Sequence, residues 1–193
     1  MDSVLTYSMS MSVDGYIKDR GGDFQWSAPD EELFRFHLEQ TRELGCHLCG
    51  RSLYETMLVW ETDPSLREDE LDAAFADVWS ELPKVVFSRT LDSVQGNARL
   101  ARASVAEEVA AAQKATEKDV GIGGPGLAAE AIGLGLVDEF GMFRYPIMVG
   151  GGTSFLPQVT DHVQLDLIET RTFGTRVIYE RYRRAASASS GGR

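Results

Sequence analysis

Apolar and polar residues alternate one for one from Val4 to Val13, VLTYSMSMSV, with Tyr7, Met9, Met11 and Val13 on one side and Ser8, Ser10 and Ser12 on the other. A two-residue period is a strand, here with one apolar face and one face of small hydroxyls. Such a face suits ordinary sheet packing or the close approach of a flat ligand. Asp14 and Gly15 form a turn, Tyr16 and Ile17 continue the chain, and KDRGGD is a polar glycine loop. The period then lengthens to that of a helix, with Leu33, Phe34, Phe36 and Leu38 on its apolar side, Ser27 as N-cap and Asp30 three residues later. Glu43 to Cys49 predicts a buried strand, and SLYETM a short helix in which Ser52 and Glu55 have capping-box spacing. Residues 61 to 70 are polar and contain Pro64, which predicts a loop; Leu71, Phe75, Val78, Trp79 and Leu82 mark an amphipathic helix.

Lys84–Phe87 and Ala98–Leu100 predict strands, and Val105–Lys114 an alanine-rich helix. From Asp119 to Leu134, DVGIGGPGLAAEAIGL reads as strand, tight turn and helix. Past Gly135 the two-residue period returns: a long strand from Val137 to Val149, a bend at Gly150–Gly152, and a hairpin of 163–172 with 175–182 turning at Gly174. Strands and helices that alternate, followed by an antiparallel finish, predict an α/β chain whose mixed sheet is parallel at its centre and antiparallel at its C-terminal edge. One domain over residues 1–184 and a flexible tail over 185–193 are expected, without internal repeats.

Composition narrows the partners. With 193 residues and a formal charge of -11, the chain lacks the cationic surface that nucleic acid or an anionic membrane requires. Its start has neither the basic residues nor the apolar core of a signal peptide, and no run is long enough for a bilayer span, so the cytoplasm is the expected location. The two cysteines, Cys46 and Cys49, form one C-x-x-C inside an apolar run; without a second ligand pair they read as buried structural thiols, and no metal is expected. The antiparallel edge and the apolar FRYPIMV segment point to a homodimer.

Three loops carry candidate chemistry, each after a predicted strand. Gly123, Gly124, Pro125, Gly126 and Leu127 open a helix whose free amides can cradle a phosphate. Gly121, Gly123 and Gly126 also spell G-x-G-x-x-G, but the acidic residue expected about twenty positions later is replaced by Tyr145–Val149, which excludes a dinucleotide fold of that type. Gly50, Arg51 and Ser52 combine a guanidinium with a helix start, and Ser88, Arg89 and Thr90 place two hydroxyls and an arginine at a strand end. In a parallel sheet these ends share one edge, where they can converge on a ligand with several phosphates, such as NADPH. Among the carboxylates at the first helix, Glu32 is the one expected to face a pocket, because Phe36 follows it by one turn.

With SVDGYI at 12–17, WSAP, GRSLYET, VVFSRT, IGGPGL and YPIMVGGGTSFLP, the chain resembles the dihydrofolate reductase-like family over nearly its whole length. The likeness is strongest to the branch of the reductase domain of the bifunctional riboflavin-biosynthesis deaminase/reductase. This resemblance implies a three-layer α/β/α fold and an NADPH-dependent reductase of a pyrimidine- or pteridine-type small molecule. The first candidate reaction is reduction of the ribosylaminopyrimidine intermediate of riboflavin synthesis, and the second is dihydrofolate reduction. It further implies that Gly50, Arg51 and Ser52 hold phosphates, that Ser88, Arg89 and Thr90 surround the adenosine 2′-phosphate, and that Gly123–Leu127 line the pyrophosphate. Ser10 and Ile17 would meet the nicotinamide carboxamide through their backbones. The proton donor is Glu31, Glu32 or water, with Glu32 favoured. A nucleotide-binding protein without catalysis is the alternative from another class.

Overall fold

The structure, a computed structural model, describes residues 3–174 and 176–186. The sheet begins with β1 (Leu5–Ser12) at its centre; β2 (Tyr16–Lys18) leaves it and pairs elsewhere. Then follow α1 (Glu31–Arg42), β3 (Leu44–Gly50), α2 (Arg51–Met57), α3 (Val59–Thr62), α4 (Glu70–Glu81), β4 (Lys84–Phe87) and β5 (Ala98–Leu100). The chain continues with α5 (Val105–Ala115), β6 (Asp119–Gly123), α6 (Pro125–Gly133), β7 (Glu139–Tyr145), β8 (Thr153–Ser154), β9 (Leu165–Phe173) and β10 (Val177–Arg184). Eight strands form one sheet in the order β5-β4-β3-β6-β1-β7-β10-β9, parallel from β5 to β7 and antiparallel for β10 and β9. β2 and β8 make a separate two-stranded ribbon.

The alternation of β1 sorts its side chains as its pattern requires. Leu5, Tyr7 and Met11 join the core beneath α5 and α6, while Thr6, Ser8 and Ser10 face the opposite side. On that opposite side α1, α2 and α4 close a second core around Leu38, Tyr54, Phe75, Trp79 and Val86, and α1 also covers Phe143, Phe173 and Tyr179. Helices therefore cover both faces in three layers. A buried lysine fastens the second layer to the sheet: Lys84 Nζ donates to the carbonyls of Trp79 (2.6 Å) and Leu82 (2.9 Å) and lies 3.0 Å from Glu61 Oε1. Removing the carboxylate would leave an uncompensated buried charge, so this pair fixes α3 and α4 relative to β4.

Four local expectations need correction. α1 is capped by Asp30, whose side chain accepts from Leu33 N at 2.9 Å, whereas Ser27 ends a 3₁₀ turn (Gln25–Ser27) and donates its hydroxyl to Phe24 O. The cause is Pro29, which forces Ala28 into extended backbone (ψ 124°), so no helix can pass through it. α2 starts at Arg51 without a side-chain cap, because Glu55 pairs with Arg51 at 2.8 Å and not with the helix start. The polar 61–70 segment is partly helical, with the end of α3 and a 3₁₀ turn at Pro64–Arg67. β7 spans seven residues and ends before Pro146; it lies between β1 and β10, so FRYPIMV supplies no free edge. Of the expected C-terminal tail, residues 187–193 lie outside the described residues, and so does Thr175 of the hairpin turn.

Candidate active site

β4, β3 and β6 lie side by side, with Gly50 opposite Phe87 and Cys49 opposite Gly123, so the three loops that follow them emerge at one rim. They touch there. Arg51 donates through Nη1 to Thr90 Oγ1 at 2.5 Å and through Nε to Glu55 Oε1 at 2.8 Å, which holds the guanidinium half-exposed at the rim. Ser88 Oγ accepts from the amides of Thr90 and Leu91 at 3.1 and 3.0 Å, while Arg89 is exposed and makes no ion pair among the described residues. Gly124 has φ 98°, and a Cβ there would stand 3.2 Å from both N and Cα of Gly50. Only glycine fits that seam without strain.

The helix starts differ in how their amides are used. Asp30 caps α1, Asp69 caps α4 through the amides of Leu71 and Asp72, and Ser104 with Glu107 forms a capping box on α5. α6 begins at Gly124 with Pro125 in its first turn and no side-chain cap, and open space surrounds the position where a Cβ on Gly126 would stand. Its first amides are therefore available to an anion, with the positive end of the helix dipole behind them. This is the test that an anionic cofactor must pass, and the residues present fit: an uncapped nine-residue helix, a seam that only glycine tolerates, and two arginines on one rim.

From this rim a cavity of about 680 Å³ runs beneath α1. Its floor is the small-residue face of β1, Thr6, Ser8 and Ser10; its roof is Phe34, His37, Gln40 and Thr41 of α1; its end wall includes Met57, Trp60 and Phe75. Ile17 and Lys18 of β2 line its mouth, where Asp14 accepts from Gly150 N at 2.8 Å and Val149 N at 3.2 Å and so ties the SVDGY turn to the glycine bend. The Ser12 hydroxyl, then those amides, hold the Asp14 carboxyl below the usual range. Burial pushes the imidazoles of His37 and His47 down to about 4. Both stay neutral at physiological pH.

Of the residues singled out in the sequence, Ser10, Ile17, Ser52, Gly124 and Pro125 line the cavity. Gly50, Arg51, Ser88, Arg89, Thr90, Gly123 and Gly126 belong to the three strand-end loops, and Leu127 turns its side chain into the core, leaving its backbone for the turn. Glu32, expected to face a pocket, is instead 56% exposed and 3.4 Å from Arg171 of β9. It does share a side with Phe36, but that side faces Phe173 and Arg171, away from the cavity. Glu31 is 73% exposed and pairs with Arg35 at 2.6 Å. The cavity face of α1 carries Phe34, His37 and Thr41, spaced i, i+3 and i+7, a stripe that was present in the sequence and was missed. Cys46 and Cys49 are buried free thiols on opposite faces of β3, Cys46 in the core under α5 and α6 and Cys49 in that under α4. Burial raises both thiol pKa values, that of Cys49 to about 12, so neither is poised for thiolate chemistry.

Solved structures share this architecture. A protein assigned to riboflavin biosynthesis from Shewanella sp. PV-4 is 20% identical with a TM-score of 0.76, over 95% of this chain and 99% of that one. The diaminohydroxyphosphoribosylaminopyrimidine deaminase/5-amino-6-(5-phosphoribosylamino)uracil reductase of Thermotoga maritima is 15% identical with a TM-score of 0.65; the match covers 95% of this chain but 57% of the longer one. Dihydrofolate reductase from Enterococcus faecalis, solved with NADP(H) and RAB-propyl, is 19% identical with a TM-score of 0.64 over 95% of this chain and 97% of that one. These likenesses establish a dihydrofolate reductase-like fold. The model of the RibD C-terminal domain matches residues 3–179, which include all three rim loops, and the chain therefore belongs to the RibD C-terminal domain family.

Proposed function

We propose that this chain is a cytoplasmic NADPH-dependent reductase that transfers a hydride to a C=N or carbonyl carbon of a pyrimidine- or pteridine-type small molecule. One observation carries the reading: the loops after β3, β4 and β6 meet at one rim, and that rim opens into the cavity beneath α1. In this reading the amides of Gly123–Leu127 receive the pyrophosphate, Gly50–Ser52 hold phosphate at the start of α2, and Ser88, Arg89 and Thr90 receive the 2′-phosphate. The backbones of Ser10 and Ile17 hold the nicotinamide carboxamide. When bound, NADPH supplies the hydride; the chain keeps both reacting faces in contact on the β1 floor and excludes bulk water. Because Glu31 and Glu32 are turned to solvent, water entering at the cavity mouth is the proton source.

Within the family, 5-amino-6-(5-phosphoribosylamino)uracil is the first acceptor to test and dihydrofolate the second. The absence of both helix carboxylates from the cavity wall favours one competing reading, NADPH binding without turnover. Loss of absorbance at the NADPH band with each acceptor separates the two. Tight NADPH binding, at least tenfold weaker NADH binding and measurable oxidation are expected; binding without oxidation of either acceptor would leave the competing reading. The proposal includes a homodimer joined along β9, the antiparallel edge of the sheet, on which Leu167 is 56% exposed, and static light scattering would report its mass.

A further inference from the structure

The acceptor end of the cavity is built from aromatic rings and neutral imidazoles. Trp60 and Phe75 meet edge to face with centroids 4.7 Å apart, and Phe34 lies 5.6 Å from Trp60 and 5.3 Å from Phe75. His37 hangs from the roof with its ring 4.4 Å from Phe143, and neither of its ring nitrogens has a hydrogen-bond partner among the described residues. His47 is already engaged, its Nδ1 3.2 Å from Cys49 Sγ and its ring edge-on to Trp79.

Two cationic side chains reach the wall. Lys18 Nζ sits over the Phe24 ring at the mouth, 5.0 Å from its centroid, and Arg181 is held by the fully buried Glu139, with Nε 2.6 Å from Oε2. Glu43 and Asp119 add negative charge at the far end. Lys18 is the one of the two without an ion pair among the described residues, and it stands at the mouth. A phosphate dianion at the aromatic end would lose its hydration without reaching it, whereas a planar ring gains stacking area against the end wall. A neutral imidazole offers one N–H donor and one bare nitrogen, so it can pair with either a ring N–H or a ring carbonyl.

Resting on the reductase reading and narrowing it, we infer that the acceptor is a flat, uncharged heteroaromatic ring without a phosphate, packed against Phe34, Trp60 and Phe75 and oriented by a hydrogen bond to His37. His37 is thereby a specificity-determining residue. The test is isothermal titration of the full chain with 5-amino-6-(5-phosphoribosylamino)uracil and with the same compound after phosphatase treatment. The dephosphorylated compound is expected to bind at least tenfold tighter. His37→Leu, which retains apolar packing on Phe143, is expected to lose at least tenfold of that affinity, and His37→Gln, which keeps a donor and an acceptor, to recover part of it. Melting temperatures identify folded variants, and the wild-type comparison of the two compounds stands even if His37→Leu does not fold. Equal or tighter binding of the phosphorylated compound, no binding of either, or unchanged affinity in folded His37→Leu overturns the inference. NADPH affinity of the wild type, measured alongside, separates the two levels: with NADPH bound, the inference alone falls, whereas no NADPH binding removes the reductase reading itself.

Discussion

Helices α1, α4 and α5 complete their own first turns, and α6 does not. Asp30, Asp69 and the Ser104–Glu107 pair occupy the amides of the first three, while the turn of Gly124 and Pro125 leaves those of α6 without a side-chain partner. The chain thus knows how to cap a helix and withholds the cap where three loops meet. Unmade bonds in a protein are commonly a cost; here they leave the first amides of α6 available to an anion.

That contrast can be broken by substitution. The largest effect is expected from Gly124→Val, which forces a β-branched residue to φ 98° and a Cβ against the backbone of Gly50. Stability should fall by roughly 2–3 kcal/mol and NADPH binding should be lost in calorimetry. Next comes Gly50→Asp. Gly50 has φ -67° and ψ 156°, the geometry of an N-cap, and a Cβ there makes ordinary contacts at 3.6 Å or more. The melting temperature should hold or rise slightly, while the added carboxylate weakens NADPH binding by about tenfold or more.

At the self-sufficient helix starts the pattern should reverse. Glu108 accepts from Arg99 and from the amides of Arg102 and Ala103 ahead of α5, and the Arg99 bond, first among these, holds its carboxyl below the ordinary range. Its folded pKa lies under its unfolded value of about 4.3, so its stabilisation is complete above that value and is lost as pH falls through the folded pKa. Glu108→Gln should cost roughly 1–2 kcal/mol in urea titrations at pH 7 and less at pH 3, with NADPH affinity unchanged at neutral pH. Ser104→Ala is the mildest, about 1 kcal/mol of stability by thermal melting and no change in NADPH binding. If the cap variants weakened NADPH as much as Gly50→Asp, the distinction between the two kinds of helix start would collapse.

Much of this rim was legible because glycine and strand-end chemistry are local. Asp119–Leu127 declared a strand, a turn and the start of a helix within nine residues, and the alternation of Ser8 and Ser10 left a ligand-facing floor as one of two readings, the other being ordinary sheet packing. The start of α1 was misread because Ser27 and Asp30 have capping spacing, yet Pro29 between them forbids a helix through Ala28. The role of Glu32 went astray for a different reason. Its neighbour Phe36 does pack inward, but only the fold reveals that α1 has two inward sides, one toward Phe143 and Phe173 and one toward the cavity. His37, between Phe36 and Leu38, has the look of a core residue, and nothing local tells that Phe34 and His37 border open space. The aromatic end wall joins side chains from α1, α3 and α4, whose meeting depends on the buried Lys84 far along the chain.

The floor of the chamber has a consequence for how its tastes can change. Thr6, Ser8 and Ser10 are flanked by Gly121 on β6 and Gly141 on β7, so the sheet already presents close to the least bulk that side chains allow. Most alterations there make the room shallower. New depth, for a bulkier or branched guest, has to be carved from the helical ceiling or from the rings of Trp60 and Phe75, so diversification of this scaffold is free to run on one side and blocked on the other.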